Sequence, residues 1–61
     1  MSYKRAIETR EEEITIMKER LKEATEKQKK EIEIRIKLVE DAIKQLKIAA
    51  KVREQIEEVM N

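Results

Sequence analysis

The sequence predicts an all-α fold: an antiparallel helical hairpin, with helices over about 3–24 and 28–60, that associates into a four-helix bundle. Three observations carry this expectation. The 61 residues include no Gly and no Pro, although average usage would supply several of each. Apolar residues recur in heptad rhythm along nearly the whole length. Finally, the second half carries two such seams, more than one neighbouring helix can cover. A single domain of this size buries a small share of its surface and usually needs disulfides, a metal or oligomerisation.

The first helix opens after Ser2, a residue type suited to capping. Its seam runs in alternating steps of four and three through Tyr3, Ile7, Arg10, Ile14, Met17, Leu21, Ala24 and Gln28. Such a narrow stripe suits contact with one neighbour. Arg10 and Gln28 interrupt it, and Ile16 lies outside it.

The turn is expected within Lys22 to Glu31, where Ala24 is the only apolar residue. Thr25 and Gln28 have the spacing of a capping box that restarts a helix. Against a break stand three favourably oriented pairs, Glu23 with Lys27, Glu26 with Lys30 and Glu31 with Arg35, each worth about 0.2 to 0.5 kcal/mol in a helix. The alternative fold is therefore one continuous helix of roughly 85 to 90 Å in a coiled-coil oligomer. Layer matching favours the hairpin. Folding back sets Ala24 near Ile32, Leu21 near Ile36, Met17 near Val39, Ile14 near Ile43, Arg10 near Leu46 and Ile7 near Ala50, until Tyr3 meets Arg53. A rod would instead carry a stutter at Gln28, Ile32 and Ile36.

The second helix begins with EIEIRIKLVE, Glu31 to Glu40, whose alternation is that of a half-buried strand. It resolves as two helical seams overlapping. One contains Ile32, Ile36, Val39, Ile43, Leu46 and Ala50; the other contains Leu38, Ala42, Gln45, Ala49, Val52, Ile56 and Val59. Glu33, Lys37, Glu40, Lys44, Lys47, Lys51 and Glu58 take the remaining polar face. The intrachain core is accordingly Ile7, Ile14, Met17, Leu21, Ile32, Ile36, Val39, Ile43, Leu46 and Ala50. The oligomer interface is Leu38, Ala42, Gln45, Ala49, Val52, Ile56 and Val59, where a polar Gln45 can fix register.

Three resemblances bear on this reading. The composition and heptad pattern of the whole chain resemble designed or idealised helical bundles and natural coiled-coil fragments, which implies self-association. EIEIRIKLVEDAIKQLKIAAK resembles the strand and first helix of ribbon-helix-helix DNA-binding proteins, but the second helix of that family is missing. In length and hairpin plan the chain is similar to Rop-type helical hairpin dimers, which implies RNA binding through a basic stripe such as Lys37, Lys44, Lys47 and Lys51. The aromatic residue that face would need is absent.

Chemistry is sparse. With no Cys and no His, there are no disulfides, no thiolate or imidazole metal ligands and no imidazole base. Consecutive Glu11, Glu12 and Glu13 point in three directions around a helix and cannot converge on a metal. The hydroxyls of Ser2, Tyr3, Thr9, Thr15 and Thr25 have no base to activate them, and every Lys lies on or beside a polar face. No catalytic, cofactor or metal site is expected.

Fifteen basic and 14 acidic side chains leave a net charge of +1, mixed along the length, so no long-range field for nucleic acid or membrane is expected. MSYKRAIE lacks the apolar core of a signal peptide, and no run approaches a membrane span. The expectation is a soluble chain, cytoplasmic if natural. Its expected partner is itself, as a homodimer, without a small-molecule substrate, membrane or nucleic acid. The expected role is a structural self-association module. A small adaptor binding a partner protein's helix is the alternative, and Rop-like RNA binding the third.

Overall fold

In the computed structural model, which describes residues 3–60, two α-helices pack against each other as a hairpin: α1 (Tyr3–Leu21) and α2 (Glu26–Met60). The reason for the break lies in the backbone bonds on either side of it. The amides of Lys22, Glu23 and Ala24 donate to the carbonyls of Glu19, Arg20 and Leu21 at 3.3, 3.2 and 3.4 Å. These three-residue bonds tighten the end of α1 and occupy carbonyls that α-helical bonding leaves free. Lys18 and Arg20 in the last turn place positive charge at the negative end of the helix dipole.

A reciprocal capping box starts α2. The Thr25 amide donates to Gln28 Oε1 at 3.1 Å, and the Gln28 amide donates to Thr25 Oγ1 at 3.3 Å. Lys29 N then donates to the Thr25 carbonyl at 2.8 Å, the first α-helical bond. Among the described residues none has positive φ. The turn thus reverses the chain without the left-handed residue that so often ends a helix, which is how a sequence without Gly accommodates it.

These bonds correct the expected boundaries. Helix α1 ends at Leu21 instead of 24, because the three-residue bonds replace its next turn. Helix α2 begins at Glu26 instead of 28, because Thr25 is the cap and Gln28 is already the third helical residue. The continuous rod is excluded by the same turn. Ser2, the expected cap of α1, lies outside the described residues. Glu31 to Glu40 is helical throughout, so the strand-like alternation is indeed carried by a helix and the ribbon alternative falls. Glu23 and Lys27 lie on opposite sides of the break, and Glu26 pairs with Lys29 at 3.5 Å instead of with Lys30.

The helices are antiparallel. Tyr3 and Ile7 share a groove with Ala50 and Arg53, Ile14 with Ile43, and Met17 with Val39. The same register, continued, brings Leu21 to Ile36. Along this seam Ile36 and Ile43 are buried, at 8% and 9% exposure, while Ile7, Ile14, Met17, Leu21, Ile32, Val39, Leu46 and Ala50 are half-buried. None of the described side chains is fully buried. Arg10 leaves the seam, with its Nη1 donating to both carboxylate oxygens of Glu13 at 3.1 Å.

Two helices side by side can shield only the faces they turn to each other. The chain measures 53 × 15 × 12 Å, and its radius of gyration of 15.4 Å exceeds the roughly 10.5 Å of a compact domain this long. Helix α2 alone accounts for the long axis, since 35 residues span about 52 Å.

Because Thr25 closes both halves of the capping box, Thr25→Ala should lower stability by about 0.5 to 2 kcal/mol. Urea unfolding followed by circular dichroism measures this. An unchanged midpoint would show that the box does not hold the turn.

Candidate association surface

At about 100° per residue, the two seams of α2 are centred some 130° apart, and the Leu38, Gln45, Val52 and Ile56 positions lie roughly 165° around α2 from the Ile36 and Ile43 direction. They therefore point away from α1, and their exposure follows. Leu38 is 64% exposed and Val59 86%, Val52 and Ile56 are about half exposed, and Gln45 is exposed. Ala42 and Ala49 are half-buried, on the side of this row nearer α1. Apart from Leu38, which borders a groove shared with α1, the outward side chains of the row are left uncovered by α1.

Four further apolar side chains border it that the seam assignment missed. Ile34 is 63% exposed, Met60 is 81% exposed, and Ile16 and Ile48 are about half exposed. The spacing held the signal for two of them: Ile34 stands four residues before Leu38, and Ile48 four before Val52, each one helical turn away on the same face. Ile16 joins through tertiary structure, because α1 sets it beside Met17, Arg20, Arg35, Leu38 and Val39 in an open groove between the helices. No spacing along the chain could have placed it there.

The other side of the hairpin differs in kind. Its groove is lined by Glu11, Thr15, Lys18, Glu40, Lys44 and Lys47, with Ile14 and Ile43 at its floor. Lys37, Lys44, Lys47 and Lys51 are all exposed. The basic stripe thus stands among carboxylates, not as an unbroken positive field. The exposed large apolar side chains Ile16, Ile34 and Leu38 lie on the opposite flank, where Glu13, Arg20 and Arg35 border them.

Three threonine hydroxyls bond locally. Thr9 Oγ1 donates to the Arg5 carbonyl at 3.0 Å and Thr15 Oγ1 to the Glu11 carbonyl at 3.2 Å, while Thr25 Oγ1 accepts the capping bond. Such back-bonding is an ordinary local use of a helical Thr hydroxyl. Tyr3 is half-buried in the groove that holds Ile7, Ala50, Arg53 and Glu57. Among the described residues no cluster of carboxylates could hold a metal ion, and no helix is long and apolar enough to cross a membrane.

No family model, curated protein or solved structure matches this chain.

The faces predict different responses to truncation. In solutions too dilute for association, Ile43→Ala should cost about 2 kcal/mol or more through lost burial and a cavity, whereas Leu38→Ala should stay within about 0.5 kcal/mol, as exposed substitutions do. Urea titrations of both variants at low micromolar concentration check this. Equal losses would mean that Leu38 packs within its own chain.

Proposed function

We propose that the chain is a structural self-association module: two hairpins pair through the uncovered row of α2 to make a four-helix bundle, without catalytic work. The observation that supports this reading is the row of exposed apolar side chains from Ile34 and Leu38 to Val52, Ile56 and Val59, interrupted at its middle by Gln45. Among the described residues no third helix covers it.

Area points the same way. The chain exposes 5620 Å², about 1,400 Å² more than the roughly 4,200 Å² that scales with its mass for a compact monomer. A stable protein interface takes about 800 Å² from each partner. One copy can therefore cover another's row with surface to spare. Covering it is favourable at about 25 cal/mol per Å² of apolar area. A homodimer related by a two-fold axis is the simplest closed assembly that does so. The hydroxyls bound to their own helices agree with a non-catalytic role.

Ala49 and Val52 probe the row from its two sides. Ala49→Trp sets an overlarge ring at a close contact, and Val52→Glu sets a charge on the outward face. Each should weaken association by about 10- to 100-fold, equivalent to about 1 to 3 kcal/mol. Sedimentation equilibrium reads the change, with circular dichroism confirming that the variants stay helical. If both leave the mass and its concentration dependence unchanged, the row is not the interface.

A further inference from the structure

We infer that, given this pairing, the two copies run antiparallel through α2 about a two-fold axis level with residue 47, so that the end of each α2 seats beside Ile16 and Leu38 of the other. The inference rests on the self-association proposed above and adds its direction and register.

The row is self-complementary when reversed. Antiparallel helices pair a position of one heptad column with a position of the other. The register that matches side-chain size sets Leu38 against Ile56 of the second copy, Ala42 against Val52 and Gln45 against Ala49. Each match occurs twice by symmetry, giving six layers without a clash of large residues. A step one way would put Arg35 against Val52 and Gln45 against Ala42; a step the other way would put Ile56 against Gln45 and leave Leu38 beyond the end of the facing α2.

Charge selects the same direction. From Glu26 to Lys37, α2 holds five basic residues against three acidic ones, whereas Glu54 to Met60 holds three Glu and no base. A parallel pair would bring the acidic ends of the two helices together, and a like-charge juxtaposition of that kind is unfavourable. With the axis at residue 47, an antiparallel pair instead sets Glu54 to Met60 of one copy opposite Ile34 to Glu40 of the other, where Arg35 and Lys37 stand against the single Glu40. There Arg20 and Arg35 line the groove that holds Ile16 and Leu38, together with Glu13, whose carboxylate is already paired with Arg10.

The groove is also where apolar surface is still needed. Ile16 is about half exposed and Leu38 64% exposed, and at the other end of α2 the Val59 side chain is 86% exposed. A level of residue 47 for the axis brings Val59 of one copy close to Arg35 and Leu38 of the other. The two most exposed parts of the row then cover each other.

A single spin label distinguishes the arrangements, since the chain has no native Cys. Glu58→Cys places the label on the polar face of α2, away from both apolar rows. In the antiparallel dimer the two labels are separated by 22 residue rises plus the width of two helices, roughly 35 to 40 Å; a parallel dimer holds them within roughly 25 Å. Pulsed dipolar spectroscopy measures the distance, and sedimentation of the same sample gives the mass. A dimer with the long distance supports the inference. A dimer with the short distance overturns it while leaving self-association standing. A monomer overturns both, and an assembly of more than two chains overturns the two-fold pairing. Ile16→Glu supplies a second check without touching the intrachain core, and should weaken dimerisation about tenfold or more. An unchanged dissociation constant would remove Ile16 from the interface.

Discussion

The structure depends on a mismatch of faces: α2 is apolar in two directions about 130° apart, and the chain offers α2 only one neighbour. Everything else follows from which direction α1 takes. It takes the Ile36 and Ile43 side, where matched layers continue from Ile7 to Leu21, and leaves the Leu38 to Val59 side uncovered. The core between the two helices is therefore thin. Its best-covered side chains still keep 8% and 9% of their surface exposed, as expected where a core is one layer deep.

The turn deserves its place beside that mismatch, because it converts a chain with strong helix propensity throughout into two helices. Neither Gly nor Pro stops α1. The reversal comes instead from three short backbone bonds after Leu21 and the reciprocal bonds of Thr25 and Gln28. Surface ion pairs contribute little by comparison: Arg10 with Glu13, Lys22 with Glu19, Lys29 with Glu26 and Arg53 with Glu57 are all solvent-exposed, and such pairs are worth about 0 to 1 kcal/mol each. Local bonds set where the chain bends, and burial sets which faces meet.

Much of this was legible in the residues. Heptad spacing located both seams of α2, and a helical reading of Glu31 to Glu40 was available once the pattern was followed as far as Ala50. The box at Thr25 and Gln28 was visible as well, but the helix start was read two residues late, since a cap lies before the helix it starts and Gln28 was taken as the beginning. The end of α1 was hidden because Lys22, Glu23 and Ala24 are ordinary helical residues. Only the competition between continuing the helix and packing Ile7 to Leu21 against α2 decides where it stops. Ile16 belongs to the exposed row through the packing of α1 on α2, a tertiary relation that no periodicity contains.

If a second copy covers the row as proposed, folding and association are coupled, because a hairpin with a thin core gains stability from the copy that covers it. The coupling is read from thermal unfolding of the native chain as a function of concentration. Followed by circular dichroism from low micromolar to high hundreds of micromolar, the midpoint should climb steadily, with sedimentation giving twice the 7.3 kDa chain mass at the upper end. A helical chain that melts at one temperature throughout that range, with the mass of a single copy, would contradict the account.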